Sequence, residues 1–134
     1  MPTTANGAFE VKTLPQPSDP AAGGDALGRL LLDKQFHGDL EATSKGTMLA
    51  AGTAVQGSAG YVALEIVTGT LHGRTGTFVL QHTGTMTRGT PQLSVTIVPD
   101  SGTDQLINLS GKMSIDRADG KHTYTLEYTL PEPQ

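Results

Sequence analysis

Apolar and polar residues alternate along most of this chain, and the alternation breaks where glycine and proline cluster. A period of two puts successive side chains on opposite faces of a strand. Residues 7–13, Gly-Ala-Phe-Glu-Val-Lys-Thr, predict a first strand. Residues 28–38 admit two readings. A helix would align Leu27, Leu30, Leu31 and Lys34, whereas a strand aligns Leu30, Leu32 and Phe36. Gly28 and Gly38 bracket the segment and no good cap precedes it, so a strand is expected. Residues 40–51 follow with Leu40, Ala42 and Met48 in phase. Residues 59–69 are rich in β-branched residues between glycines. Tyr61, Ala63, Glu65 and Val67 share one face there, and Val62, Leu64 and Ile66 the other. In residues 75–87, Phe78, Leu80 and His82 oppose Thr77, Val79 and Gln81. A tight turn at Arg88-Gly89-Thr90-Pro91 leads to residues 92–98, with Leu93, Val95 and Ile97 in phase and Pro99 as the stop. Residues 109–116 align Leu109, Met113 and Ile115. After a turn at Asp119-Gly120, residues 121–130 align His122, Tyr124, Leu126, Tyr128 and Leu130.

Two connections are longer. Residues 15–26 carry prolines and glycines and predict a loop that is mobile or folded over one mouth of the domain. Residues 100–108 predict a loop with a single helical turn. Eight strands joined mostly by tight turns form a meander, and a meander of that size closes to remove its exposed edges. The expected fold is all-β: one closed, antiparallel, eight-stranded barrel domain over 1–134. Such a barrel is lipocalin-like or dirigent-like in outline. Its interior is just wide enough for side chains or one small ligand.

Composition narrows the function classes. The net charge of −4 comes from interspersed acids and bases, with no Lys/Arg cluster and only three Phe and three Tyr for base stacking. Nucleic-acid binding is not expected. No cysteine is present, so neither disulfides nor thiolate chemistry enters, which fits a reducing compartment. The start, Met1 to Gly7, is polar and resembles no leader. No apolar run approaches the roughly 20 residues of a helical membrane span. The expected location is the cytoplasm, away from membranes.

Candidate chemistry lies on the strands. If the face with Tyr61 points inward, Glu65 is a carboxylate inside a barrel, with a raised pKa suited to acid or base work. The alternative is a Glu on the outer face or in a subunit contact. His82, in phase with Phe78 and Leu80, is a candidate partner for it or simply a satisfied core histidine. Tyr61, Phe78, His122, Tyr124 and Tyr128 line the walls as ligand-orienting groups or as core residues with a polar end. Arg74, after Gly73, suits a bidentate carboxylate clamp or a pair with Asp39. His37, Asp39 and His72 form no tight metal-ligand pattern, so no metal is expected. No phosphate loop, dinucleotide fingerprint or nucleophile elbow is present, and no cofactor is expected.

Several stretches carry a family resemblance. They are Phe36-His37-Gly38-Asp39-Leu40, Gly60 to Glu65, Gly69 to Gly84 (Gly-Thr-Leu-His-Gly-Arg-Thr-Gly-Thr-Phe-Val-Leu-Gln-His-Thr-Gly), Val98 to Thr103, and His122 to Tyr128. Together they resemble an uncharacterised bacterial domain-of-unknown-function family with an allene-oxide-cyclase-like barrel. That resemblance implies an eight-stranded barrel, often oligomeric, and no activity. Family members usually follow Ser-Gly-Thr with Gly-Glu-Leu and then Gly-Leu. This chain reads Asp104-Gln105-Leu106-Ile107-Asn108-Leu109 instead.

The leading expectation is a binding module that holds a small hydrophobic or amphipathic molecule. An isomerase or cyclase using Glu65 with His82 or a tyrosine is the alternative, and an oligomeric structural protein is the second. Apolar residues on both faces of 61–67 predict a homo-oligomer.

Overall fold

The computed structural model describes residues 2–131. Met1 and residues 132–134, which the expected domain includes, lie outside them. Eight strands follow in chain order: β1 (Thr3–Pro15), β2 (Gly28–Gly38), β3 (Leu40–Gly52), β4 (Ala59–Leu71), β5 (Arg74–Thr87), β6 (Thr90–Ile97), β7 (Ser110–Ala118) and β8 (Lys121–Thr129). Each pairs antiparallel with its sequence neighbours, and β1 pairs with β8, closing the barrel. No helix among the described residues is long and apolar enough to cross a membrane.

The period of two decides which way each strand faces. In β4, Ala63, Glu65 and Val67 are buried while Val62, Leu64 and Ile66 are exposed. In β2, Leu32, Lys34 and Phe36 are buried, which fits a strand and rules out the helical alignment. The first strand begins at Thr3, earlier than alternation indicates, because Ala5 pairs with Leu126 of β8 and is fully buried. Cross-strand pairing overrides the polar local sequence there. The turn between β5 and β6 is only Arg88 and Gly89, both at positive φ, so Thr90 and Pro91 already belong to the strand.

The two ends of the barrel differ. At one end the side chains pack solidly: Phe36, Leu40, Val67, Leu71, Phe78, Leu80, Tyr124 and Leu126 are each at most 2% exposed. Residues 98–109 plug this closed end. Where β6 has stopped, they take over the backbone of β5: Val98 N donates to Val79 O at 2.9 Å and Thr103 N to Thr77 O at 2.9 Å. A 3-10 turn, Asp104–Leu106, then drops Leu106 into the core, with Leu109 beside it. The departure from the family pattern at 104–109 therefore falls in the plug, where Leu106 and Leu109 supply the apolar contacts.

At the other end the barrel is open. The β1–β2 connection sits at this rim as two short 3-10 turns, Pro20–Ala22 and Gly24–Ala26. None of its described residues is among those that line the cavity below.

Candidate functional site

The open half of the barrel is a cup of about 250 Å³. Its walls are mostly apolar and include Phe9, Val11, Leu32, Met48, Leu93 and Ile115, with Tyr61 and His122 among them. Lys34 and His82 supply its charged and imidazole groups.

These two residues belong to a buried row that crosses four consecutive strands. Lys34 on β2 pairs in register with Ser44 on β3. Ser44 pairs with Val67, two residues from Glu65 on β4, and Glu65 pairs with Leu80, two residues from His82 on β5. Strand tilt in a closed barrel imposes such a stagger. Lys34 Nζ donates to Glu65 Oε2 at 2.7 Å, and His82 Nε2 lies 2.5 Å from the same oxygen. Ser44 Oγ donates to Glu65 Oε1 at 2.8 Å. Lys34, Ser44, Glu65 and His82 are all at most 6% exposed. Gly46, opposite Glu65, makes room for the carboxylate's backbone: a Cβ there would stand 2.3 Å from Leu64 O.

The expected raised pKa of Glu65 is not found. Burial pushes it up, but the hydrogen bond from His82 and the charge and hydrogen bond of Lys34 outweigh this and lower it from 4.5 to about 2. Glu65 is therefore ionised at neutral pH. It does not line the cup; it lies behind Lys34 and His82 and orients them. One of the three ammonium donors of Lys34 is spent on Glu65, and the other two have no protein acceptor among the described residues. The ammonium also stands over the rings of Phe9, at 5.1 Å, and Phe36, at 5.9 Å.

The other candidate residues separate along the barrel. Tyr61 is half-buried at the rim. Burial raises its hydroxyl pKa, and the Glu65 charge adds to this, so it stays a donor at neutral pH. His122 stacks on Phe9 with centroids 5.0 Å apart and lines the cup. Phe78 is core in the closed half. Tyr124 does not join Glu65: its hydroxyl accepts from Leu40 N at 3.0 Å and donates to His37 O at 2.8 Å, tying the β2–β3 turn to β8. Tyr128 bonds His72 Nδ1 at 2.5 Å at the closed end. Arg74 opens β5 there as well; its strand partner Leu71 is about 20 Å along β4 from Glu65. Neither Tyr128 nor Arg74 reaches the cup. Asp39 accepts from Asn6 N at 2.9 Å and lies 3.6 Å from His72 Nε2, at the same closed end as Arg74. Among the described residues no group of three or more His, Cys, Asp or Glu is placed to hold a metal.

Sequence reasoning missed Lys34 and Ser44. The signal was there: Lys34 alternates in phase with Leu30, Leu32 and Phe36, and Ser44 with Leu40 and Ala42. A polar residue on an otherwise apolar face of a buried strand needs a partner, and Lys34 and Glu65 partner each other.

A family model described as a protein of unknown function (DUF3224) matches residues 5–128. The crystal structure of a DUF3224 family protein of unknown function from Shewanella oneidensis MR-1 superposes with a TM-score of 0.91. It is 47% identical to this chain over 99% of this chain's length and 100% of its own. Among curated proteins, none matches this chain.

Proposed function

The chain belongs to the DUF3224 family, and from that premise we propose that its barrel binds one small hydrophobic or amphipathic molecule in the open cup. The carrying observation is the floor of the cup: Lys34 and His82 stand beneath apolar walls, held by an ionised Glu65 behind them. A mainly apolar cavity with a few fixed polar groups is the usual form of a ligand site. A neutral fluorescent probe, N-phenyl-1-naphthylamine, tests this. We expect saturable binding of one probe per barrel that is lost when Met48→Trp fills the cup and kept when Leu64→Ser alters the outer face. Binding that survives the first change and disappears with the second would refute it.

One observation favours a second reading, an isomerase-type enzyme. His82 faces the cup while Glu65 fixes its Nε2, leaving Nδ1 for a ligand. In that reading His82 moves the proton and Glu65 positions it, in the manner of a carboxylate–histidine pair. Exchange of ligand protons with deuterated water that is lost in His82→Gln would support it.

We also propose that the barrel self-associates through the outer face of β3 and β4. Leu64 is 54% and Ile66 57% exposed there, with Leu49 and Val62 beside them. Apolar surface of this kind is usually covered. Only monomer in light scattering at micromolar concentration would argue against it. We place the protein in the cytoplasm because its cysteine-free composition suits a reducing compartment. Its proposed partners are a small molecule and its own copies, with no nucleic acid and no membrane.

A further inference from the structure

The cup continues beyond its rim. Met48, Tyr61 and Leu93 line both the cup and a second, apolar groove of about 360 Å³ over the mouth ends of β3 to β6. The groove rests on small residues, Ala50, Ala59, Gly60 and Gly84, and is flanked by Met86. The ring of Tyr61 stands between the two spaces. It lies so close to Gly84 that a Cβ there would sit 2.3 Å from Tyr61 Cε1, so only glycine leaves the ring in this position. Methionines on either side can repack around ligands of different shape.

The floor restricts the head group. Lys34 and His82 both hold Glu65, at 2.7 and 2.5 Å, so the floor already has its own anion. A second carboxylate, brought in by the ligand, would meet Lys34 and His82 with the Glu65 anion directly behind them, in a site where desolvated charge is costly. A neutral carbonyl oxygen accepts the remaining N–H donors of Lys34 without adding charge.

We propose that the ligand is an uncharged chain molecule carrying a carbonyl group, of the ketone or ester class. The carbonyl sits on Lys34 and the chain runs past Tyr61 into the groove. This rests on the cup-binding reading above. NMR titration with the methyl ketones from 2-pentanone to 2-undecanone tests it. Each methylene buried adds about 0.8 kcal/mol, which is roughly a fourfold gain in affinity. The affinity of the native protein should keep rising as the chain lengthens. In the double variant Ala59→Trp and Met86→Trp, at two exposed groove positions, affinity for the shortest ketones should persist and the rise should stop early. At neutral pH nonanoate should bind roughly tenfold more weakly than 2-nonanone. The chain assignment is overturned if the native protein levels off at the same length as the filled variant. The head-group assignment is overturned if nonanoate equals 2-nonanone. Absence of binding by every ketone would remove the cup reading itself, and this one with it.

Discussion

The two halves of this barrel share the same eight strands but end differently, and the difference originates at β6. Toward the closed end β6 stops at Ile97, and residues 98–109 step in to bond the backbone of β5 and fill the interior with Leu106 and Leu109. Toward the mouth, β6 and β7 pair only at Val95–Met113 and Thr96–Lys112; beyond these, residues 90–94 and 114–118 are unpaired with each other. Among the described residues nothing fills that side, and Leu93 and Ile115 line open space instead. The ion-paired row Lys34–Glu65–His82 lies at the border between the two. One half is packed and the other is left unfilled, so changes in the two should have separable effects.

Emptying the packed half should have the largest effect. Phe78→Ala removes a side chain that is 1% exposed and should cost about 3–5 kcal/mol in urea unfolding. Probe binding by the fraction still folded should hardly change. A large loss of affinity at full folding would mean that the halves are coupled.

The floor comes next. Lys34→Met strands the buried Glu65 carboxylate and should cost about 3 kcal/mol, whereas the double variant Lys34→Met, Glu65→Gln should recover most of it. Equal losses in the single and double variants would show that the pair is not an electrostatic unit. The same pair predicts a pH dependence. Because the Glu65 pKa falls from 4.5 unfolded to about 2 folded, its stabilisation is complete above about pH 4.5 and is lost as pH drops toward the folded value. Glu65→Gln should flatten that part of the stability curve; an unchanged slope would place the titration elsewhere.

Smaller effects sharpen the comparison. Tyr124→Phe leaves Leu40 N and His37 O without the hydroxyl they share, and should cost about 1–2 kcal/mol without altering probe affinity. Met86→Ala, at a rim position 43% exposed, should change stability by less than about 0.5 kcal/mol while weakening long-chain ketones. A stability loss larger than that of Tyr124→Phe would mean the rim is structural.

Read alone, the sequence was enough for most of the strands, for the inward face wherever only one face is apolar, and for the closure of the meander. Alternation is local and fixes a face only where one side is polar; β4 is apolar on both, and folding decided that Glu65 is buried and Leu64 exposed. The sequence offered Glu65 and His82 as partners in one interior only on the condition that the Tyr61 face points inward. The height of each side chain along the barrel was set by folding alone. Tyr61 and Tyr128 both face inward, yet one reaches the cup and the other bonds His72 at the far end. That height depends on cross-strand register and strand tilt, which are set between distant segments and leave no mark in a period of two. The same applies to the charge of Glu65. A carboxylate on an apolar strand reads as a raised pKa until register places His82 and Lys34 against it, and the hydrogen bond from His82 with the charge and hydrogen bond of Lys34 then outweighs desolvation.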